Sequence, residues 1–283
     1  MLVDVGDTRL HVTERGQGDL VLFVLHGGPG LDHTMFGSYL DALGDRCRLL
    51  LVDERATGRS EPAPPETWGL DHHAADIEAM VGTLGLERYA VLGHSFGAFI
   101  ALQHAVDFPG RPAATVVSSG IPDTRFLAHV ADELEAFEPV ELREQVRASW
   151  ANEAYARTQE DVAALLSDQL PFHFADPRDP RIDDMRAAMA GAVYGPEVLR
   201  AAAAEDYGAI ALEDRLAEVT HPVLVLAGRH DRTCSAAAAE ALAAGLPDSE
   251  LVVCERSGHM TFVEENEAYL DAVREFLERR ALR

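Results

Sequence analysis

Short, almost wholly apolar runs alternate with longer stretches whose apolar residues recur at helical spacing. The runs are Leu20 to Leu25, Arg48 to Val52, Tyr89 to Leu92, Thr115 to Val117, Val223 to Ala227 and Leu251 to Val253. Successive apolar residues bury both faces of a strand, which predicts parallel strands covered on both sides by crossover helices. Helices are predicted over Met35 to Leu43, His72 to Leu84, Phe96 to Asp107, Ala236 to Ala244 and Phe262 to Arg280, and an antiparallel hairpin over Leu2 to Glu14. The elements together predict an α/β fold, a mostly parallel doubly wound sheet with an antiparallel edge.

That rhythm breaks between residues 122 and 221, where no strand-like run occurs and the chain is helical, Ala-rich and charged. A stretch of that length is too long for a plain crossover. It predicts a helical cap, residues 122–221, inserted into a core made of residues 1–121 and 222–283, with breaks at Pro139, from Pro171 to Pro180 and at Gly195-Pro196. The length of 283 residues suits one such body, and 47% apolar with 25% charged residues excludes disordered, collagenous and coiled-coil chains.

Charge narrows the partners. The 24 basic residues are all Arg, and against 48 acidic residues they leave a net charge of −24. A field of that sign opposes nucleic acid and anionic membrane, so neither is expected as a partner. The three cysteines, Cys47, Cys234 and Cys254, are too few and too scattered for a disulfide framework or a zinc site. A cytoplasmic protein with no metal and no cofactor is expected, since no leader-like or membrane-spanning apolar run is present.

The strongest chemical signal is Gly93-His94-Ser95-Phe96-Gly97, placed after a predicted strand and opening a predicted helix. That context is a nucleophile elbow: the glycines let strand and helix approach while Ser95 takes a strained backbone and projects its hydroxyl. A serine hydroxyl needs a base, and the base needs an orienting group. Asp231 follows the run ending at Ala227, and His259 follows the run ending at Val253, so all three stand at carboxyl ends of strands, where open α/β sheets carry their sites. His230 as base and Asp123 as orienting acid are the weaker alternatives. His94 is expected to pack beneath the elbow, and the pair His72-His73 cannot share a helix face to hold a metal. His11, His33, His104, His129, His173 and His221 read as surface or packing residues. Attack on a carbonyl also needs N–H donors for the oxyanion. The Phe96 N–H is one, and the stretch His26-Gly27-Gly28-Pro29-Gly30 offers Gly28, or failing that Gly27, as the other. A phosphate loop is disfavoured there, because Walker spacing and a lysine are both missing.

With these residues assembled, the chain resembles an α/β-hydrolase over essentially its whole length apart from the cap. The matching elements are His26 to Gly30, Asp53 to Ser60, Gly93 to Gly97, Asp231 and His259. The first two blocks are similar to the proline iminopeptidase branch of serine aminopeptidases, with Ala56 standing where that branch usually has Gly. The resemblance implies a small-molecule or short peptide substrate whose free amino terminus is held by cap carboxylates, here Glu153 and either Glu205 or Asp206. Ser95 in place of Asp at the elbow argues against epoxide hydrolase or dehalogenase chemistry. The same scaffold also hosts esterases, lactonases and thioesterases, and a non-catalytic ligand-binding protein is the remaining class.

Overall fold

The computed structural model describes residues 1–205 and 207–282. Asp206, one of the acids considered above, lies outside the described residues. Eight strands form one sheet: β1 (Leu2–Asp4), β2 (Arg9–Arg15), β3 (Leu20–Leu25), β4 (Cys47–Val52), β5 (Tyr89–His94), β6 (Ala114–Ser118), β7 (Val223–Gly228) and β8 (Ser249–Cys254), in the order β1-β2-β4-β3-β5-β6-β7-β8. The pairs β1–β2 and β2–β4 are antiparallel and every other pair is parallel. β3 has the predicted bounds. The other parallel strands run one to three residues further, because residues flanking the apolar run still pair in the ladder, as His94 does with Ser118.

The described helices are α1 (Leu70–Leu84), α2 (Phe96–Asp107), α3 (Val130–Ala136), α4 (Val140–Asn152), α5 (Gln159–His173), α6 (Arg181–Ala188), α7 (Pro196–Ala204), α8 (Ala236–Gly245), α9 (Thr261–Glu264) and α10 (Asn266–Arg280). Alternate residues of β3 enter two different cores. Val21, Phe23 and Leu25 pack with Ile77 and Met80 of α1, Phe99 and Leu102 of α2 and Leu242 of α8. Leu20, Leu22 and Val24 pack with Tyr269, Val273 and Phe276 of α10. Full burial of such side chains contributes about 1.5–3 kcal/mol each, which is why a strand apolar on both faces settles between helical layers.

Two predicted helices differ. Met35 to Leu43 is not one helix but two short 3-10 turns, His33–Phe36 and Asp41–Asp45, separated at Gly37, whose φ of 48° ends the first. The stretch from Phe262 to Arg280 breaks at Glu265, whose carboxylate accepts from the Arg256 N–H and the Ser257 hydroxyl, both at 2.8 Å. The helices α3 to α7 lie between β6 and β7 in the chain. Breaks occur at Pro139 and Gly195-Pro196 as expected, whereas Pro171 sits inside the last turn of α5 and the chain leaves the helix only at Phe174.

Candidate active site

Ser95 occupies the junction of β5 and α2 with φ 56° and ψ −119°, a conformation that costs a non-glycine residue about 1–3 kcal/mol. Its flanking glycines are required by contact. A Cβ on Gly93 would lie 1.9 Å from the Gly97 carbonyl oxygen, and one on Gly97 would lie 2.4 Å from that of Leu25. The Ser95 N–H donates to the Ser118 carbonyl at 2.9 Å, tying the turn to β6. The half-buried hydroxyl borders a cavity of about 580 Å³. His94 is fully buried behind it, with Nδ1 3.1 Å from the Ser118 hydroxyl, and burial holds its pKa well below the usual range.

Asp231 lies in the loop after β7 and His259 in the loop after β8. His259 Nδ1 stands 2.8 Å from Asp231 Oδ2, and both side chains are buried. The other oxygen, Asp231 Oδ1, accepts from the Thr233 N–H, the Thr233 hydroxyl and the Cys234 N–H at 2.8, 2.8 and 2.9 Å. Burial pushes the Asp231 pKa up, but the charge and hydrogen bond of His259 and the Thr233 donors outweigh it, so the carboxyl lies below its ordinary value. The His259 imidazole packs between the rings of His94 and His173, each with its centroid 5.0 Å away. The Ser119 hydroxyl donates to the His259 carbonyl at 3.0 Å. His259 borders the same cavity as Ser95, and among the described residues no hydrogen bond joins the two.

Gly27 and Gly28 approach the elbow from the end of β3. A Cβ on Gly27 would lie 3.1 Å from the Cβ of Ser95. Both glycines border the cavity, and the Gly27 N–H is directed at Met35 Sδ, 3.0 Å away. Phe96 opens α2, so its N–H has no acceptor within the helix. Beneath these glycines, buried His26 accepts from the Glu54 N–H at 3.3 Å. Asp53 Oδ1 accepts from the His33 N–H at 3.0 Å and Oδ2 from the Arg59 N–H at 2.8 Å. The block from Asp53 to Ser60 is thus tied to His26 and His33, on either side of the glycine stretch.

Among the described residues Glu153 and Asp123 are the carboxylates that border the cavity. Glu153 is buried, accepts from Gln169 at 2.6 Å and from the Tyr207 hydroxyl, and is driven to a raised pKa by burial against those two donors. Glu205 is exposed at the end of α7 and does not border the cavity, so the expectation that it binds substrate gains no support. The remaining wall is mainly apolar, from Phe99, Leu127, Leu166, Leu170 and Met185. Of the weaker alternatives, His230 is exposed, and Asp123 Oδ1 accepts from the Arg125 N–H at 2.8 Å. Sequence reasoning missed Thr233, Ser119 and the ring contact of His173. Only Thr233 left a signal, a hydroxyl two residues after an Asp that can fold back on it. Two groups bring metal-binding atoms within 4.8 Å of one another, His11 with His33 and Asp53, and Asp231 with Cys234 and His259. In both groups the carboxylate oxygens are already engaged, Asp53 by the His33 and Arg59 N–H groups and the imidazoles of His11 and His33, and Asp231 by Thr233, the Cys234 N–H and His259.

Comparison with known proteins agrees with this architecture. A proline iminopeptidase of Clostridium botulinum is 27% identical over 267 residues, covering 90% of this chain and 89% of that protein. A putative carbamate hydrolase of Caulobacter vibrioides is 26% identical, covering 93% and 97%. The crystal structure of a proline iminopeptidase from Mycobacterium smegmatis superposes with a TM-score of 0.76 at 25% identity, covering 100% of this chain and 98% of that one. Residues 21–266, from the second residue of β3 to the first of α10, match the alpha/beta hydrolase fold family, and the chain belongs to that family.

Proposed function

We propose that the protein is a serine hydrolase that works through an acyl-enzyme and cleaves the amide bond of a small substrate with a free amino group, in the manner of a proline iminopeptidase. His259 takes the proton of Ser95 as the hydroxyl oxygen bonds to the substrate carbonyl carbon, and Asp231 stabilises the imidazolium that results. The N–H groups of Gly28 and Phe96 receive the oxyanion, a role in which one donor is worth about 10²- to 10³-fold in rate. His259 then protonates the leaving amine, and a water deprotonated by the same imidazole attacks the acyl carbonyl carbon and displaces Ser95, whose oxygen takes the proton back from His259. The observation that carries this reading is the opening of Ser95 and of His259, whose Nδ1 is paired with Asp231, onto one cavity.

Support for the amine preference is narrower. Glu153 is a buried carboxyl on that cavity, and a substrate ammonium beside it would favour its ionised form. The relatives from Clostridium botulinum and Mycobacterium smegmatis are proline iminopeptidases by name. A second reading, hydrolysis of an ester, lactone or thioester, is favoured by the mainly apolar wall, which offers one deeply buried carboxyl instead of a converging pair.

Labelling with a fluorophosphonate separates enzyme from binding protein. The wild type is expected to form an adduct on Ser95 and Ser95→Ala none, and an unlabelled folded wild type would reject the hydrolase reading. Comparing proline β-naphthylamide with p-nitrophenyl acetate and butyrate separates the two enzyme readings. Ester turnover without release of the arylamine from any aminoacyl arylamide would replace the first with the second.

A further inference from the structure

The chain leaving α5 crosses the two loops that carry Asp231 and His259, and its peptide groups bind them from both sides. The His259 N–H donates to the His173 carbonyl at 2.7 Å. Arg232, beside Asp231, donates to the carbonyls of Phe172, Phe174 and Ala175 at 3.0, 2.6 and 3.2 Å. Glu264 of α9 completes the junction. Its Oε2 accepts from the Gly258 N–H and its Oε1 from the Ala175 N–H, both at 2.8 Å, so one buried carboxyl joins the inserted helices to the residue before His259. The approach is too close for any other residue at 258, because a Cβ there would lie 2.6 Å from the His173 carbonyl oxygen and 2.7 Å from the Ala175 nitrogen.

We propose that Glu264 is a positioning residue: its carboxylate holds the His259 loop against the segment from His173 to Ala175 and so keeps the imidazole where it can reach Ser95. The inference rests on the serine hydrolase reading and extends it to a residue that does not border the cavity. A carboxylate accepting two N–H groups makes charge-assisted bonds, and a protonated carboxyl would turn a donor toward one of those N–H groups. The groups facing Glu264 are Arg181 and Asp179 from the start of α6, Arg232 from the Asp231 loop and Cys254 from β8. Arg181 also donates to the Glu264 carbonyl at 2.6 Å. Burial lifts the carboxyl to about 7 against the pull of its two N–H donors and of Arg181. The bridge is therefore complete above neutral pH and loosens below it.

The test is steady-state hydrolysis of p-nitrophenyl acetate across the neutral pH range by the wild type, Glu264→Gln and Glu264→Ala, with fluorophosphonate labelling rates alongside. The acid limb of wild-type kcat/KM is expected to contain the Glu264 ionisation, because the bridge loosens as that carboxyl takes up a proton. In Glu264→Gln that ionisation is lost from the limb and kcat falls about 10- to 100-fold, with KM nearly unchanged. Glu264→Ala falls further, since the amide still accepts one of the two bonds. A folded Glu264→Gln with wild-type kcat would overturn the proposal. So would an acid limb that Glu264→Gln and Glu264→Ala both leave unchanged. A wild type inert to ester and fluorophosphonate alike removes the hydrolase reading itself, whereas an active one without these effects removes Glu264 alone.

Discussion

The loops at the strand ends and the helices inserted between β6 and β7 share one cavity but are built by different physics. Around Ser95 and Asp231 the positions are set by the backbone: glycines where side chains cannot fit, N–H groups closing on carboxylates, and a serine in a strained conformation. The inserted helices contribute through side chains, with Leu166, Leu170 and Met185 as wall and Glu153 as the buried acid. Side chains of the inserted helices shape the cavity wall, whereas the elbow backbone sets the position of the Ser95 hydroxyl itself. The contrast assigns the proposed bond-making to the loops and the proposed selectivity to the insertion.

Three changes would break or sharpen that division. The largest effect belongs to the loops. Asp231→Asn leaves an oxygen to accept the Thr233 and Cys234 N–H groups, so the fold is kept, but it removes the acceptor that sets the His259 tautomer. A fall of about 10⁴-fold in kcat/KM with a near-normal melting temperature is expected, and a fall of only a few-fold would place the orienting acid elsewhere. Next comes Glu153→Gln, which tests the insertion. Turnover of a prolyl arylamide is expected to drop about 10- to 100-fold, the scale of one hydrogen bond to a charged group, with p-nitrophenyl esters little affected. Equal losses on both substrates would make Glu153 part of the general architecture and not a selector.

The smallest effect lies where the two regions touch. Ala56 has φ 59°, in the left-handed region, and its carbonyl oxygen would lie 3.0 Å from a Cβ placed on Gly195 at the start of α7. Ala56→Gly relieves that backbone and is expected to raise the unfolding free energy by about 0.5–1 kcal/mol in urea titration, after the greater entropy of glycine in the unfolded chain is counted. A destabilised variant would show that the Ala56 methyl is needed for packing.

Where sequence reasoning succeeded and where it failed follows the range of the forces involved. β3 and α2 were read to the residue, because a run apolar on both faces and an elbow motif are local patterns with few alternative structures. The helix expected over Met35 to Leu43 failed because its apolar spacing reflects burial of Met35, Phe36, Leu40 and Leu43 against the sheet in two separate turns. The break at Glu265 was invisible for a related reason: its carboxylate is committed to Arg256 and Ser257, a competition that helical periodicity does not record.

Local pattern alone therefore determined the strands, the elbow and the candidate residues Ser95, Asp231 and His259, since each depends on neighbours within a few positions. Only the tertiary structure decided that His259 pairs with Asp231 and not Asp123, that Glu153 borders the cavity while Glu205 faces solvent, and that Glu264 reaches Gly258 and Ala175 together. Those contacts depend on strand order and on how a distant helical segment seats over the sheet, so they follow from the burial of the whole chain and not from any window of it.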